Sequence, residues 1–453
     1  MVLPNQFKNE DIRLLAIQNL KGSEKEKVIW MLSNMDKNKV FAYRKKLSNG
    51  KSDHDFLEEL KSRYIDYREK WRSQPKNAFK QKLYGEKFKD KKNNPLCIDI
   101  EVASVCDLAC PHCYRQYIST PDKVMDPELA YKLIEQASEL QVPSMKFNWR
   151  GEPLLNPKLP EIIDYAKSKG VLETIINTNA TKLDEKMSEK IIKSGLDIMI
   201  YSFDGGSKKS YEKMRPGRFE KNNFNKVYEN IKNFNVMRKK LGSVFPRTKI
   251  QMVLTEDTHP EQEQFFKLFN EIVDEVSVKQ YTERGGKLDD INENFKGKIK
   301  QNVDKLKNIY GDKANLMKDS DGNIYLSEGR LPCEQPFQRM LVTYDGRTSM
   351  CCYDWGSMHP VGYVDKKAID VGDQDYKDVK NKSDARVKGF EMMNLEMPKN
   401  LNTPKEKVET LNDIWNGKEI NSVRENHIQN KLNKVEICKA CPFKETYKWK
   451  KIS

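Results

Sequence analysis

A regular alternation of strand and helix patterns starts at Leu96 and continues to about residue 280. Short apolar segments that fit buried strands alternate there with longer segments whose apolar residues recur at helical spacing. Strands joined through helices pair in parallel by right-handed crossovers, which predicts an α/β fold with a parallel sheet covered by helices. The predicted strands are residues 98–104, 144–148, 173–177, 197–203, 249–254 and 275–280.

The number of strand–helix units limits the architecture. A closed barrel of this kind needs eight units and only six are found, so we expect an open (β/α)6 partial TIM barrel. Boundary residues support the intervening helices. Asp126 and Asn156 each precede a proline that suits a first helical turn, while Gly170 and Gly195 stand where helices should end.

The segments that flank the barrel differ from it in composition. Residues 1–95 have the pattern of charged helices and contain 23 basic and 13 acidic residues, which gives this segment +10 of the net charge of +14. Such a segment suits a polyanion or an acidic partner, and is equally compatible with a solvated, lysine-rich helical surface. After the barrel we predict a polar stretch with a helix over 298–310, a β-hairpin turning at Asp345-Gly346, a long loop over 364–405 and a helix over 410–426.

These patterns divide the chain of 453 residues into four predicted parts. They are a basic helical extension (1–95), the barrel (96–281), a linker with a helix (282–332) and a small domain of a β-hairpin and helices (333–453). No run approaches the roughly 18 apolar residues that a membrane-spanning helix needs. The first ten residues also lack the apolar core of a signal peptide, so we expect a cytoplasmic protein without a membrane partner.

Nine cysteines give the strongest indication of chemistry. An odd number in such a chain argues against a disulfide framework and favours metal or redox use. Cys106, Cys110 and Cys113 form a C-x3-C-x2-C triad directly after the first predicted strand, whereas Cys97 lies in an apolar run and is expected to be buried. Three thiolates on one loop can hold three irons of a [4Fe-4S] cluster and leave the fourth iron open, and the alternative is a zinc knuckle.

A second group of cysteines lies near the C-terminus. Cys333, Cys351, Cys438 and Cys441 supply four thiolates from the predicted hairpin and a distal C-x2-C. Four thiolates can complete a tetrahedral zinc site or ligate every iron of a second cluster, and spacing alone does not distinguish the two. Cys352 is a surplus thiol next to this set. His54, His259, His359 and His427 show no ligand pattern.

The triad, the Gly151-Glu152-Pro153 turn after the second strand and the strand–helix alternation together resemble the radical S-adenosylmethionine (radical SAM) superfamily. The resemblance implies that the open iron chelates S-adenosylmethionine (SAM), whose reductive cleavage yields a 5′-deoxyadenosyl radical that abstracts hydrogen from a substrate. It assigns Gly151 and Glu152 to the methionine amino group. The resemblance also assigns Asn177 and Ser202, which lie at strand ends, to the ribose and carboxylate of SAM. It places His112 near the adenine.

Two charged residues remain open at this point. Asp204 follows the fourth strand and could serve SAM or the substrate. Arg215 could help to hold the SAM carboxylate, or could form an ordinary surface ion pair.

The second group of cysteines resembles the SPASM or twitch extension of the same superfamily. No cysteine follows Cys441, so the resemblance implies one fully ligated auxiliary [4Fe-4S] cluster. The single-cluster pattern is most similar to dehydrogenases of small alcohols. Cys352 is a candidate catalytic residue, because a thiol can return a hydrogen atom to a substrate radical, as in radical epimerases.

The resemblance therefore predicts a radical SAM enzyme of oxidoreductase or epimerase type. Its expected substrate is a small molecule, namely a sugar, an aminosugar or a nucleotide-linked sugar. Its expected electron donor is a low-potential protein such as flavodoxin or ferredoxin. One alternative is a peptide- or tRNA-modifying radical SAM enzyme. An alternative of another class is a non-catalytic protein that binds zinc through its cysteines or nucleic acid through the basic extension.

Overall fold

The computed structural model describes residues 20–47, 50–113, 115, 121–255, 257–280, 316–318, 324–354, 357, 359–370, 408–439, 441, 443 and 446–451. The helix predicted over 298–310 and most of the loop predicted over 364–405 lie outside these residues. None of the helices described is long and apolar enough to cross a membrane.

Six parallel strands form the centre of the molecule and pair in sequence order, which confirms the open partial barrel. They are β1 (Cys97–Ile100), β2 (Ser144–Lys146), β3 (Glu173–Thr178), β4 (Ile198–Ser202), β5 (Arg247–Leu254) and β6 (Glu275–Gln280). The helices that follow these strands are α5 (Pro127–Glu139), α6 (Leu159–Ser168), α7 (Glu185–Ser194), α8 (Lys208–Met214), α9 (Phe224–Lys240) and α10 (Gln262–Phe269).

Alternation along the strands separates a helix-covered face from an interior face. Ile98, Ile100 and Met145 are fully buried in the main apolar core that the helices cover. Successive side chains of a strand point to opposite faces, so Asp99 and Lys146, which are paired in register on β1 and β2, point to the interior. Polar side chains therefore line part of the barrel interior, separate from the apolar core under the helices.

Three of the four helix-boundary signals are confirmed. The Asp126 side chain accepts from the Glu128 amide at 3.1 Å, and Gly170 and Gly195 adopt left-handed φ angles of 88° and 85°. The prediction for Asn156 is wrong, because α6 begins only at Leu159. The Asn156 side-chain Nδ2 instead donates to the carbonyl of Val102 at 2.9 Å and ties this turn to the segment just after β1.

The C-terminal hairpin extends the barrel sheet. Its strands are β9 (Arg339–Val342) and β10 (Arg347–Ser349), joined at the predicted Asp345-Gly346 turn, and β11 (Pro360–Tyr363) adds a third. β9 also pairs in parallel with β1, so the sheet has nine strands in the order β11-β10-β9-β1-β2-β3-β4-β5-β6. The cysteine-bearing hairpin is thus joined directly to the first barrel strand.

A second sheet lies outside the prediction. Strands β7 (Leu316–Lys318) and β8 (Ile324–Arg330) fall in the predicted linker and pair antiparallel, with β12 (Tyr447–Lys451) on the other side of β8. The helix predicted over 410–426 is two helices interrupted at Gly417. The C-terminal helices are α11 (Lys366–Asp370), α12 (Leu411–Asn416), α13 (Lys418–Ile428) and α14 (Glu436–Lys439).

The N-terminal helices cover the end of the barrel at which the strands begin. Tyr64 and Tyr67 donate to the carboxylate of Glu173, the first residue of β3, at 2.7 and 3.2 Å. Gln74 donates to the carbonyl of Phe337, just before β9, at 2.6 Å. The helices are α1 (Gly22–Asn34), α2 (Lys39–Leu47), α3 (Asp53–Gln81) and α4 (Glu86–Asp90).

Candidate functional site

The cysteine triad lies on the loop that follows β1, at the edge of the sheet where the strands end. The Cys113 amide donates to the Cys110 carbonyl at 3.0 Å and closes a turn between the last two cysteines. The Ala109 amide donates to the carbonyl of Pro216 at 2.8 Å, which anchors the loop to the segment after α8. Parallel α/β barrels form their active sites at this edge of the sheet.

The thiols of the triad suit a cationic centre. Burial raises the pKa of Cys106 to about 12, and burial together with the neighbouring Cys113 and Cys106 raises the pKa of Cys110 well above its usual range. Thiolates here therefore need a nearby positive charge, which iron supplies. Among the described residues, no three His, Cys, Asp or Glu side chains already converge as ligands of a single metal ion.

A network of hydrogen bonds joins the cysteine loop to the end of β3. The Asp107 carboxylate accepts from Asn179 Nδ2 at 2.9 Å and from Thr181 Oγ1 at 2.6 Å. The Asn179 amide donates to Glu152 Oε2 at 2.7 Å. These contacts connect three separate segments that carry expected site residues, and neither Asp107 nor Asn179 was among the predicted site residues.

The Glu152 carboxylate is buried and receives three hydrogen bonds. Thr178 Oγ1 and the Leu154 amide donate to Oε1 at 2.6 and 3.0 Å, in addition to the Asn179 amide at Oε2. Burial and the nearby Asp107 carboxylate raise the pKa of Glu152 to about 7. A bound cation would favour the ionised form, so this carboxylate suits an ammonium group.

Gly151 is required by close backbone packing. A β-carbon there would clash with the carbonyl oxygens of Ala103 and Val105 and would lie 2.7 Å from the carbonyl carbon of Ser104. These residues lead directly into Cys106. The absence of a side chain at Gly151 thus lets this turn pack against the backbone that leads into the cysteine loop.

Asn177 and Ser202 lie at the ends of adjacent strands, β3 and β4. The Asn177 amide donates to Asn148 Oδ1 at 2.8 Å, whereas the side-chain oxygen of Asn177 is buried and accepts no hydrogen bond from any described residue. An acceptor without a donor at this edge fits a hydroxyl or ammonium group of a bound ligand. Ser202 is half-buried at the same edge.

His112 and Arg215 converge on Asp204. His112 Nε2 lies 3.2 Å and Arg215 NH2 2.6 Å from Asp204 Oδ2, and the Val253 amide donates to Oδ1 at 2.7 Å. Burial would raise the pKa of Asp204, but Arg215 and His112 hold it well below its usual range. The surface ion pair considered for Arg215 is excluded, because the residue is 8% exposed.

The second group of cysteines surrounds one small cavity. Cys333, Cys351, Cys438 and Cys441 all line it, together with His427. Burial, the adjacent Cys352 and the other three thiols raise the pKa of Cys351 well above its usual range, and burial with Cys441 raises the pKa of Cys438 to about 12. Four thiols around one cavity match the donor set of a fully ligated iron–sulfur cluster.

His427 is a buried residue of this cavity that the sequence did not reveal. Its Nδ1 accepts from the Cys333 amide at 3.0 Å, and its Nε2 lies 3.4 Å from Cys438 Sγ. Burial and the nearby Arg330 lower the pKa of His427 to about 4. The imidazole therefore connects two of the four expected ligand positions.

Cys352 has a different environment from Cys351. Its thiol lies 3.5 Å from Gln335 Oε1 and 3.9 Å from Arg339 NH1. Its carbonyl accepts from the indole of Trp149, just after β2, at 3.1 Å. Cys352 is absent from the described lining of the four-cysteine cavity and contacts an inward-facing side chain of β9 instead.

An open α/β barrel with three thiols after its first strand and four more beside an appended hairpin defines an iron–sulfur barrel enzyme. Residues 100–269 match the family model of the radical SAM superfamily, and residues 333–442 match that of SPASM, an iron–sulfur cluster-binding domain. The chain therefore contains a radical SAM domain followed by a SPASM domain. These domains imply a SAM-binding [4Fe-4S] cluster, auxiliary iron–sulfur chemistry and SAM itself.

Curated relatives match over part of their length. GTP 3′,8-cyclase of Chlorobaculum tepidum is 31% identical over 27% of this chain and 37% of its own length. The tungsten-containing aldehyde ferredoxin oxidoreductase cofactor-modifying protein of Pyrococcus furiosus is 27% identical over 23% and 30%. Fe-coproporphyrin III synthase of Methanosarcina barkeri is 34% identical over 22% and 25%. The chain thus spans about a quarter to two fifths of these relatives.

Two solved structures show lower similarity. BtrN in complex with AdoMet and 2-DOIA has 18% identity and a TM-score of 0.41, and the match covers 78% of this chain and 94% of that chain. Streptococcus suis SuiB bound to precursor peptide SuiA has 14% identity and a TM-score of 0.45, with 83% and 72% covered.

Proposed function

We propose that this radical SAM enzyme dehydrogenates a small molecule that carries an alcohol or amine, such as a sugar, an aminosugar or a nucleotide-linked sugar. The observation that carries the proposal is the separate cavity lined by four cysteines. Four protein thiolates leave no iron open for a substrate, so a cluster there acts as an electron acceptor or as a structural support. With both clusters and SAM bound, the cofactors supply a 5′-deoxyadenosyl radical and an acceptor for the second electron.

In this proposal each expected site residue keeps one role. Cys106, Cys110 and Cys113 hold the SAM cluster, and Asp107 orders their loop through Asn179. Glu152 binds the methionine ammonium, and the oxygen of Asn177 receives a ligand donor. Gly151 permits the approach of the loop, Ser202 lines the ribose and carboxylate side, and His112 lies beside the adenine.

Two features support a small substrate. The N-terminal helices cover the end of the barrel where strands begin, which leaves the other end for entry. Two of the curated relatives are named for small molecules, GTP and Fe-coproporphyrin III.

We also propose the four-part division of the chain and a flavodoxin- or ferredoxin-type electron donor.

The position of Cys352 favours a second candidate reaction, epimerisation. Its thiol neighbours Arg339, whose register places it on the same face as Cys97 and Asp99. A thiol beside the barrel interior can donate a hydrogen atom to a substrate radical, and the thiyl radical left behind would regain the thiol by taking one electron from the external reductant and one proton from solvent. Epimerisation would then need Cys352 and no net oxidation, whereas dehydrogenation would not need this thiol.

One experiment distinguishes the reactions. Reconstituted holoenzyme is incubated anaerobically with SAM, a reductant and a panel of deuterated nucleotide sugars, and deuterium is followed into 5′-deoxyadenosine. Dehydrogenation predicts a product two hydrogens lighter than the substrate, formed also by the Cys352→Ala variant. An isomeric product that gains solvent deuterium and disappears in Cys352→Ala would establish epimerisation. Absence of deuterium transfer from every sugar would overturn the proposed substrate class.

A further inference from the structure

The interior face of the barrel contains a lysine that makes no ion pair with any described side chain. Lys146 ends β2, is half-buried and makes no ion pair or hydrogen bond with any described residue. Its charged neighbours are Asp99 and Arg339, and the thiols of Cys352 and Cys97 are also close to it. Asp99 already pairs with Arg339 at 3.2 Å, so two cations face one carboxylate.

The same imbalance recurs across the sheet. Arg247 lies 3.1 Å from Glu275, and Lys249 also pairs with that carboxylate. These residues of β5 and β6 alternate with Ile250 and Val276, which pack against the helices, so they face the interior. The interior near Lys146 thus has no spare carboxylate among the described side chains.

Register defines the depth of Lys146. It pairs with Ile175 on β3, two residues before Asn177. Lys146 therefore lies one interior layer below the unpartnered oxygen of Asn177, about 7 Å from it along the strand direction. On its other side is Ser144, which is near Tyr67 of α3. The ammonium thus lies between the covered end of the barrel and the edge that carries the cysteine loop.

A half-buried ammonium whose nearby carboxylate is already paired with an arginine is costly, because it has lost part of its hydration and gained no ion pair of its own. A carboxylate or phosphate would form charge-assisted hydrogen bonds with Lys146 and would also interact with Arg339. Lys146 and Asn177 lie on the same face of adjacent strands, so a ligand that occupies this face would contact both. A neutral ligand would leave this charge unpaired.

We propose that Lys146, with support from Arg339, binds an anionic group of the substrate, either a carboxylate or a phosphate. This inference rests on the proposed function in one respect, that the substrate enters the barrel from the cysteine-loop edge. The anionic end binds deep in the barrel and leaves the other end of the substrate near that edge. The enzyme would then select acidic substrates over neutral ones.

Calorimetry tests the proposal without turnover. Inorganic phosphate and acetate are titrated separately into anaerobic, SAM-loaded holoenzyme at low ionic strength. We expect one of them to bind at one site per chain, Lys146→Gln to weaken it at least about tenfold, and Lys146→Arg to retain it. Lys193→Gln is the matched control, because Lys193 is exposed and paired with Glu189. If only phosphate saturates the site, the anionic group of the substrate is a phosphate. If only acetate saturates it, the group is a carboxylate.

Several results would overturn the proposal: no saturable binding of either anion, equal affinity in Lys146→Gln, or equal loss in Lys193→Gln. If a Lys146 variant fails to fold, a measurement on the wild-type protein tests the proposal instead. The binding anion should slow modification of Lys146 by a small amine reagent, measured by peptide mass spectrometry, and unchanged modification contradicts the proposal. Lys146-dependent binding without deuterium transfer from any sugar would contradict only the proposed function.

Discussion

Glu152 shows how the burial of one carboxylate can link its protonation state to ligand binding. Its carboxylate is buried among donors that the chain itself supplies, yet its pKa is raised to about 7. Below that pH the folded protein holds the neutral acid, and above it the protein bears a buried charge. The ammonium of SAM, if it binds here as proposed, would offset that charge, and we therefore expect the affinity for SAM to depend on pH.

We predict that Glu152→Gln weakens SAM binding without removing iron. Loss of a charge-assisted hydrogen bond costs about 1.5–3 kcal/mol, or about 10- to 150-fold in the dissociation constant. Wild-type affinity should rise with pH through about 7, as Glu152 ionises, and this rise should be absent in the variant. Equilibrium binding of SAM between about pH 5.5 and about pH 8.5 measures both. Glu189→Gln, at an exposed ion pair, is the control, and an unchanged constant for Glu152→Gln excludes the residue.

We expect His427 to tune the auxiliary cluster. Since Nδ1 accepts from the Cys333 amide, the ring proton lies on Nε2 and points to Cys438 Sγ. Hydrogen bonds to cluster sulfurs raise the reduction potential. His427→Ala should therefore lower the midpoint potential, by about 60 mV if the redox equilibrium changes about tenfold.

The His427 measurement is best made in a chain that also lacks Cys106, Cys110 and Cys113, so that only one cluster titrates. The Gln side chain in His427→Gln can accept a hydrogen bond at its oxygen and donate one at its nitrogen. This variant should therefore have a midpoint potential close to that of the parent chain. The exposed His259 provides the control through His259→Ala. Equal potentials in His427→Ala and the parent chain would show that the imidazole does not affect the cluster.

Site residues were predictable from sequence only where a motif states them. The cysteine spacing and the Gly-Glu-Pro turn are local patterns. Asp107 and Asn179 were missed because their role depends on a contact between segments 72 residues apart. His427 was missed for a similar reason, since Cys333 is 94 residues away.

At the scale of elements, the turn at Gly151 supports the loop that follows β1. We predict that Gly151→Ala displaces this loop, because the added methyl meets the backbone of residues 103–105. The variant should lose about half of the iron, about four atoms of about eight, and should lose SAM cleavage. Iron and sulfide analysis of reconstituted protein measures this.

Gly329→Ala is the matched control for that change. A β-carbon at Gly329 meets no atom within 4 Å and the backbone is not left-handed. The control should retain full iron content. Full iron and normal SAM cleavage in Gly151→Ala would contradict the close packing on which the prediction depends.

Element boundaries were predictable when their cause is local. Asp126 caps its helix through the amide two residues on, and Asp345-Gly346 forms a hairpin by its own turn preference. The helix start predicted at Asn156 was wrong because its side-chain amide donates to a distant carbonyl, that of Val102 after the first strand. The β8–β12 pairing was missed because its strands are over a hundred residues apart, and nothing in a hairpin sequence reveals that β9 joins β1.

At the scale of the molecule, Glu173 fastens the N-terminal helices to the barrel. It accepts from Tyr64 and Tyr67, and it pairs with Lys27 at 3.2 Å. Burial would raise the pKa of Glu173, but Lys27 and Arg68 outweigh it and lower the pKa to about 2. The basic extension is therefore held by a buried acid of the sheet.

We predict that Glu173→Gln lowers the free energy of unfolding by about 3 kcal/mol at neutral pH. The folded pKa lies below the unfolded value of 4.5, so the stabilisation is present above pH 4.5 and disappears as pH falls toward about 2. The difference between variant and wild type should shrink over that window in urea unfolding followed by circular dichroism. Glu161→Gln, on the surface, is the control. Equal stabilities at pH 7 would refute this role.

The central claim is that two separate sets of cysteines hold two different clusters, one of which activates SAM. The direct test replaces Cys106, Cys110 and Cys113 by Ala and compares iron, sulfide and 5′-deoxyadenosine formation with wild type under anaerobic reduction. We predict about eight irons and SAM cleavage in wild type, and about four irons with no cleavage in the variant, because the other four thiols are untouched. Cleavage that survives in the variant, or zinc in place of iron in wild type, would contradict the account.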